Sequence, residues 1–204
     1  MKISRLENFM KNKIKIYVND YLPEESKYIS DNGYFCFLYK TEIYKYKLTE
    51  DSEISEKILT QILDDLKSRT KNKCLALLGR SNQTKRMLYD KLILAGYNKF
   101  FTESSIKEME DYKYIDDELF TKDYFEANKK RKSIKVIKQI LLQKGVSSDI
   151  LENILDEDYN QNDIVKNLIN KKLKGRDWNS LDYKEKSKIK AYIYSKGYKF
   201  PTDL

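Results

Sequence analysis

Gly96, Gly145 and Gly197 stand at the same place in three similarly patterned segments, and that recurrence constrains the fold more than any other feature of the chain. The fourth residue before each glycine is Leu92, Leu141 or Ile193, and the eighth is Leu88, Ile137 or Ile189. Apolar side chains four apart lie on one face of an α-helix. The residue after each glycine is Tyr97, Val146 or Tyr198. A glycine just past a helix can take the left-handed conformation that ends it, and an apolar neighbour can then fold back onto the last turn. The intervals, 49 residues from Gly96 to Gly145 and 52 from Gly145 to Gly197, match a three-helix unit. The pattern predicts a mainly α, elongated and curved tandem array in which each unit buries one face against its neighbours.

Composition narrows the class. With 204 residues, 40% hydrophobic and 35% charged, the chain has enough apolar side chain for one or two modest domains. No apolar run approaches the roughly 20 residues that span a bilayer, and Met1-Lys2-Ile3-Ser4-Arg5 does not lead into a signal-peptide core, so a cytoplasmic location is expected. Cys36 and Cys74 are far apart and lack a CxxC spacing, as expected of buried thiols. There is no histidine, the commonest acid/base and metal ligand, and no glycine pair has the spacing of a phosphate loop. These features disfavour an enzyme, and no metal or cofactor is expected.

The charge is +8 and unevenly distributed. Between Asn128 and Ser148 fall Lys129, Lys130, Arg131, Lys132, Lys135, Lys138 and Lys144 with no acidic residue, whereas Asp149 to Asp158 has five acids and no base. From Tyr159 to Leu204 eleven basic residues oppose five acidic ones. A solvated helix face is the ordinary reading of such a cluster, but concentration at one repeat position favours a polyanionic or acidic partner.

The chain divides into four regions: an extension over 1–55, a first repeat with its lead-in helix over 56–116, a second over 117–158 and a third over 159–204. Residues 13 to 19 alternate charged and apolar side chains and 33 to 39 are rich in aromatics, which predicts an antiparallel strand pair across the turn-prone Pro23 to Asn32 stretch. A short helix is expected at 41 to 47 and an apolar helical stripe from Glu56 to Leu66. Helices are then predicted at 70 to 78, 83 to 95 with Ser81 as N-cap, 102 to 112, around Phe120 to Ala127, 133 to 144, 148 to 156, 160 to 174 and 181 to 196. Asp116-Asp117 precedes the helix carrying Phe120 and reads as a cap rather than a catalytic or metal-binding carboxylate pair. A final helix after Gly197 is expected to be missing or reduced to a stub.

The ordered set of these elements from Leu77 to Leu155 resembles the RecX family of RecA regulators. The matching features are Arg80-Ser81, Leu88, Leu92, Gly96-Tyr97, Tyr114-Ile115-Asp116-Asp117 with Phe120, and then Ile137, Leu141, Lys144-Gly145-Val146 and Ile150. The strand pair and Tyr44-Lys45-Tyr46-Lys47-Leu48 are similar to the N-terminal extension of Gram-positive members. One departure is that Ser81 lies three residues further from Gly96 than the family's usual spacing.

The resemblance implies a monomeric, non-enzymatic protein that lies in the helical groove of the RecA filament on single-stranded DNA. It would oppose filament growth and strand exchange and lower ATP turnover, acting in DNA repair, recombination and the SOS response. On that basis Lys129, Lys130, Arg131, Lys132, Lys135 and Lys138 form the central candidate contact patch. Lys171, Lys172, Lys174, Arg176, Lys186, Lys188 and Lys190 form a second, with Arg80 as an outlying candidate. Two alternatives stay open. One is a helical-repeat protein that grips single- or double-stranded DNA directly, and the other a repeat scaffold for an unrelated protein.

Overall fold

The structure is a computed structural model that describes residues 1–10, 12–155 and 160–201. It forms two compact units, Met1–Ile115 and Asp116–Leu204.

The first unit opens with a three-stranded antiparallel sheet in the order β1 (Lys2–Met10), β2 (Lys13–Asn19), β3 (Tyr34–Tyr39). The expected pair, β2 and β3, is present, and β1 adds a strand that the residue pattern does not predict. Its own side chains explain why. Only Ile3 is fully buried, and the ladder is interrupted between Ile3 and Arg5 and again between Asn8 and Met10. Strand formation there depends on pairing with β2 rather than on an alternating pattern.

One face of the sheet, with Ile16, Cys36 and Leu38, joins a core shared by α1 (Lys40–Tyr46) and the first half of α2 (Glu56–Leu78). α2 is one helix of 23 residues rather than the expected two. The polar stretch from Lys67 to Lys73 hides a continuous buried stripe of Leu59, Ile62, Leu66, Thr70 and Cys74. Thr70 keeps its place in that stripe by donating its hydroxyl to the carbonyl of Leu66 at 2.6 Å. Both cysteines are buried thiols, and burial pushes both up, Cys74 to about 11, so neither is a nucleophile at neutral pH.

A second core gathers Cys74, Leu88, Leu92, Tyr97, Ile106 and Met109 from α2, α3 (Lys85–Leu94) and α4 (Lys99–Asp111), with Phe37 of β3. The N-cap of α3 is Thr84, whose hydroxyl accepts from Met87 N at 3.2 Å, and not Ser81, which is exposed in the turn before it. Thr84 lies three residues nearer to Gly96 than Ser81 does. Thr84 precedes Gly96 by twelve residues, as the cap Ser133 precedes Gly145.

The second unit contains α5 (Asp117–Asn128), α6 (Ile134–Gln143), α7 (Ser148–Ile154), α8 (Asn162–Leu173) and α9 (Tyr183–Ser195). Asp116 caps α5 by accepting from Leu119 N at 2.9 Å, the role expected of it. α5, α6 and α7 close over Phe125, Ile137, Leu141, Val146 and Leu151, while α8 and α9 close over Val165, Ile169, Ile189, Ile193 and Tyr198. The expected end of α7 at residue 156 falls outside the described residues. Tyr198 to Pro201 form no helix, and residues beyond 201 lie outside the described set.

The three glycines end α3, α6 and α9 identically. Their φ angles are 85°, 85° and 81°. Tyr97, Val146 and Tyr198 each donate a backbone N–H to the carbonyl of the fully buried Leu92, Leu141 or Ile193, at 3.0, 3.1 and 3.3 Å. This is the six-residue closure in which the chain doubles back on the last helical turn.

Gly197 is held by more than its φ. A Cβ there would lie 2.5 Å from Ser133 Oγ and 3.2 Å from Val136 Cγ2, and Ser133 is itself buried and donates to the Lys196 carbonyl. Gly175 shares the positive φ, 85°, but a Cβ there meets nothing within 4 Å. Gly175→Ala should therefore cost about 1 kcal/mol, the left-handed penalty alone. Gly197→Ala, forced against a buried cap, should cost about 3 kcal/mol or more in urea unfolding. Equal costs would mean that the end of α9 is not clamped on α6.

Candidate functional site

The site is built around the turn between α5 and α6. Lys129 ends α5 by donating its N–H to Phe125 O at 2.8 Å, and Arg131 and Lys132 both donate backbone N–H groups to Asn128 O. Ser133 then caps α6. Gln161, at the start of α8, fastens this turn from the side. Its amide nitrogen donates to Lys129 O (3.1 Å) and Lys132 O (3.0 Å), and its amide oxygen accepts from Ile134 N (3.1 Å).

Held in this way, Lys130, Arg131 and Lys132 form one wall of a cleft of about 610 Å³. α8 supplies Ile164, Asn167, Leu168 and Lys171, the end of α9 supplies Tyr192, Ser195 and Lys196, and Val136 and Tyr198 complete the lining. None of the described acidic residues lines it. Among the described residues none of Lys130, Arg131, Lys171 and Lys196 pairs with a carboxylate. Lys132 donates to the Tyr124 hydroxyl at 3.0 Å. The positive end of α6 adds to this field, because its first turn carries no acidic side chain. Tyr198 is 6% exposed and its hydroxyl has no hydrogen-bond partner among the described residues. Burial raises its pKa, so the hydroxyl keeps its proton.

The cleft thus joins four of the expected cations, Lys130, Arg131, Lys132 and Lys171, from both basic segments. The rest stand elsewhere. Lys129 pairs with Glu126 at 2.7 Å and Arg176 with Glu185 at 2.8 Å. Lys172 lies over the Tyr192 ring (4.3 Å), Lys186 over Trp178 (5.8 Å) and Lys190 over Phe200 (5.3 Å). Lys174 ends α8 in a left-handed conformation, Lys135 and Lys138 project from α6, and Lys188 is exposed on α9. Arg80 is exposed in the turn between α2 and α3, in the first unit. Sequence reasoning missed Lys196, Tyr192 and Tyr198 as site residues. A signal existed for the first, since Lys196 precedes its glycine as Lys144 does.

Among the described residues no cluster of three metal-ligating side chains occurs, and no helix is long and apolar enough to cross a membrane. Fold and site together define a helical-repeat protein with an N-terminal sheet and a cationic cleft. No protein-family profile matches the chain. It is 31% identical to the regulatory protein RecX of Clostridium tetani, over 97% of this chain and 88% of that one. It is also 31% identical to the regulatory protein RecX of Clostridium perfringens strain 13, over 78% and 76%. A crystal structure of a regulatory protein RecX superposes with a TM-score of 0.61, covering 97% of this chain and 94% of the other. At 21% identity that likeness bears on the fold. RecX from Lactobacillus salivarius, 26% identical, superposes with a TM-score of 0.56 over 67% and 91%. The chain belongs to the RecX family of regulatory proteins.

Gln161→Ala removes the three hydrogen bonds by which this side chain fastens the cationic turn. It should destabilise the protein by about 2 kcal/mol and speed amide exchange at Ile134. Unchanged exchange there would show that the turn is held by its own backbone.

Proposed function

We propose that the protein binds the RecA filament on single-stranded DNA, in its helical groove, and restrains filament extension, strand exchange and ATP turnover. Membership of the RecX family supports a regulatory role, and the cationic cleft between α6, α8 and α9 is the observation that carries the reading to a contact surface. Cations that a fold uses for its own stability are paired with carboxylates or laid on rings, as Lys129, Arg176 and Lys172 are. Lys130, Arg131 and Lys171 converge on a hollow that no described carboxylate lines, which suits an anionic surface supplied from outside.

Repeat modules linked in one chain suit a periodic polymer. Several weak contacts add through effective concentration, and only an assembled filament presents them together. The role is non-catalytic: the chain lacks histidine and the glycine spacing of a phosphate loop.

Replacing Lys130, Arg131 and Lys132 together by Ala should raise the concentration needed to inhibit RecA ATPase by about tenfold or more, with helicity unchanged by circular dichroism. A folded variant that inhibits as before would remove the turn from the contact surface. Tight, salt-sensitive binding to naked DNA without RecA would instead favour direct phosphate binding.

A further inference from the structure

Below its cationic rim the cleft is not polar. Val136, Ile164 and Leu168 are each half-buried and line it, so its floor is aliphatic. The aromatic rings nearby are engaged. Lys172 and Lys196 lie 4.3 and 5.8 Å from the Tyr192 centroid. Trp178 and Phe200 pack on each other at 5.3 Å, each with a lysine over its ring. A single-stranded nucleic acid is held by bases stacked on bare aromatic faces along a cationic track. Here the faces carry ammonium groups, and the cations surround one hollow instead of tracing a path.

We infer that this cleft docks a short acidic peptide segment of a protein partner, with an aliphatic side chain against Val136, Ile164 and Leu168 and flanking carboxylates on Lys130, Arg131, Lys171 and Lys196. The inference rests on the reading of the protein as one that binds a protein assembly, and names the chemistry the cleft takes from it. Each half of the site supplies something different. The floor removes apolar surface from water, and the rim sets charge and orientation. A cleft of about 610 Å³ has the size of an ordinary ligand site and suits one aliphatic anchor with its neighbours.

The test uses the full chain and fluorescence anisotropy with three labelled probes: a decapeptide of leucines set among glutamates, the same peptide with serine for leucine, and oligothymidylate. The leucine peptide should bind at least tenfold more tightly than the serine peptide. Two variants at exposed positions separate rim from floor without touching the core. Lys171→Glu reverses one rim charge, and Asn167→Trp fills the mouth. Each should weaken the leucine peptide about tenfold, and Asn167→Trp should leave oligothymidylate unaffected. Equal binding of both peptides overturns the proposal, because charge alone would then account for it. Loss of oligothymidylate binding in Asn167→Trp, with the peptide unmoved, overturns it in favour of a nucleic acid occupant.

RecA ATPase inhibition is measured in parallel on these variants and on the triple replacement of Lys130, Arg131 and Lys132 by Ala. If inhibition depends on Lys130, Arg131 and Lys132 but no peptide binds, the occupant is wrong and the regulatory reading stands. If the leucine peptide binds with the expected preference but the filament is untouched, the cleft is a peptide site and the regulatory reading fails.

Discussion

One backbone hydrogen bond recurs at the end of α3, α6 and α9, and the architecture depends on it. The residue after each glycine donates to the carbonyl of a leucine or isoleucine that is 0% exposed. The bond forms only because the glycine takes a φ near +85°, which turns the chain back over the helix it has just left. The reversal places Tyr97, Val146 and Tyr198 in the cores of their own helix groups, so a local backbone choice sets long-range packing. It also positions the start of the next helix. Two residues after the first two glycines stand Asn98 and Ser147, which cap α4 and α7. The corresponding position after Gly197 is Lys199, which offers no acceptor, with Pro201 just beyond; no helix begins there among the described residues.

Two of these glycine ends, Gly197 and Gly96, rest on a neighbouring surface, in two different ways. Gly197 meets Ser133 and Val136 of the preceding helix group. Gly96 meets the sheet: a Cβ there would lie 2.6 Å from Phe9 Cε1 and 3.3 Å from Phe37 Cδ1, the Tyr34 hydroxyl donates to its carbonyl at 2.5 Å and Lys13 reaches the carbonyl of Ala95. The sheet therefore does for the first helix group what a neighbouring repeat does for the last. It covers an apolar end and satisfies carbonyls that a helix terminus leaves open. Asn98 completes the join, its amide bonded to Tyr28 O and Phe35 O.

The glycine punctuation and the core stripes were legible in the sequence because each is a local signal with one physical meaning. What escaped it was decided at longer range. Ser81 and Thr84 are equally good caps in isolation, and only the burial of Thr84 at 0% exposure selects between them. β1 has little strand character of its own and forms because β2 offers an edge. At the candidate site, the charge clusters marked Lys130, Arg131, Lys132 and Lys171. They could not show that Lys129 and Arg176 are spent on carboxylates, nor that Lys196 closes the same cleft from α9. Pairing between helices carries no period in sequence.

The placement of the cationic turn is unfavourable for the fold by itself. Cations stabilise the C-terminal end of α5 but oppose the positive N-terminal end of α6, by roughly 0.3–1 kcal/mol for each charge close to the helix end. A sequence selected for stability alone would put Asp or Glu in the first turn of α6, as it does in α5 with Asp117 and Glu118. Instead α6 begins Ile134-Lys135-Val136, and the turn before it is fastened by the neutral amide of Gln161, which adds hydrogen bonds without cancelling charge. A rigid cationic turn held at a local electrostatic cost suits the proposed contact surface, where an anionic partner would relieve the field that weakens the isolated protein.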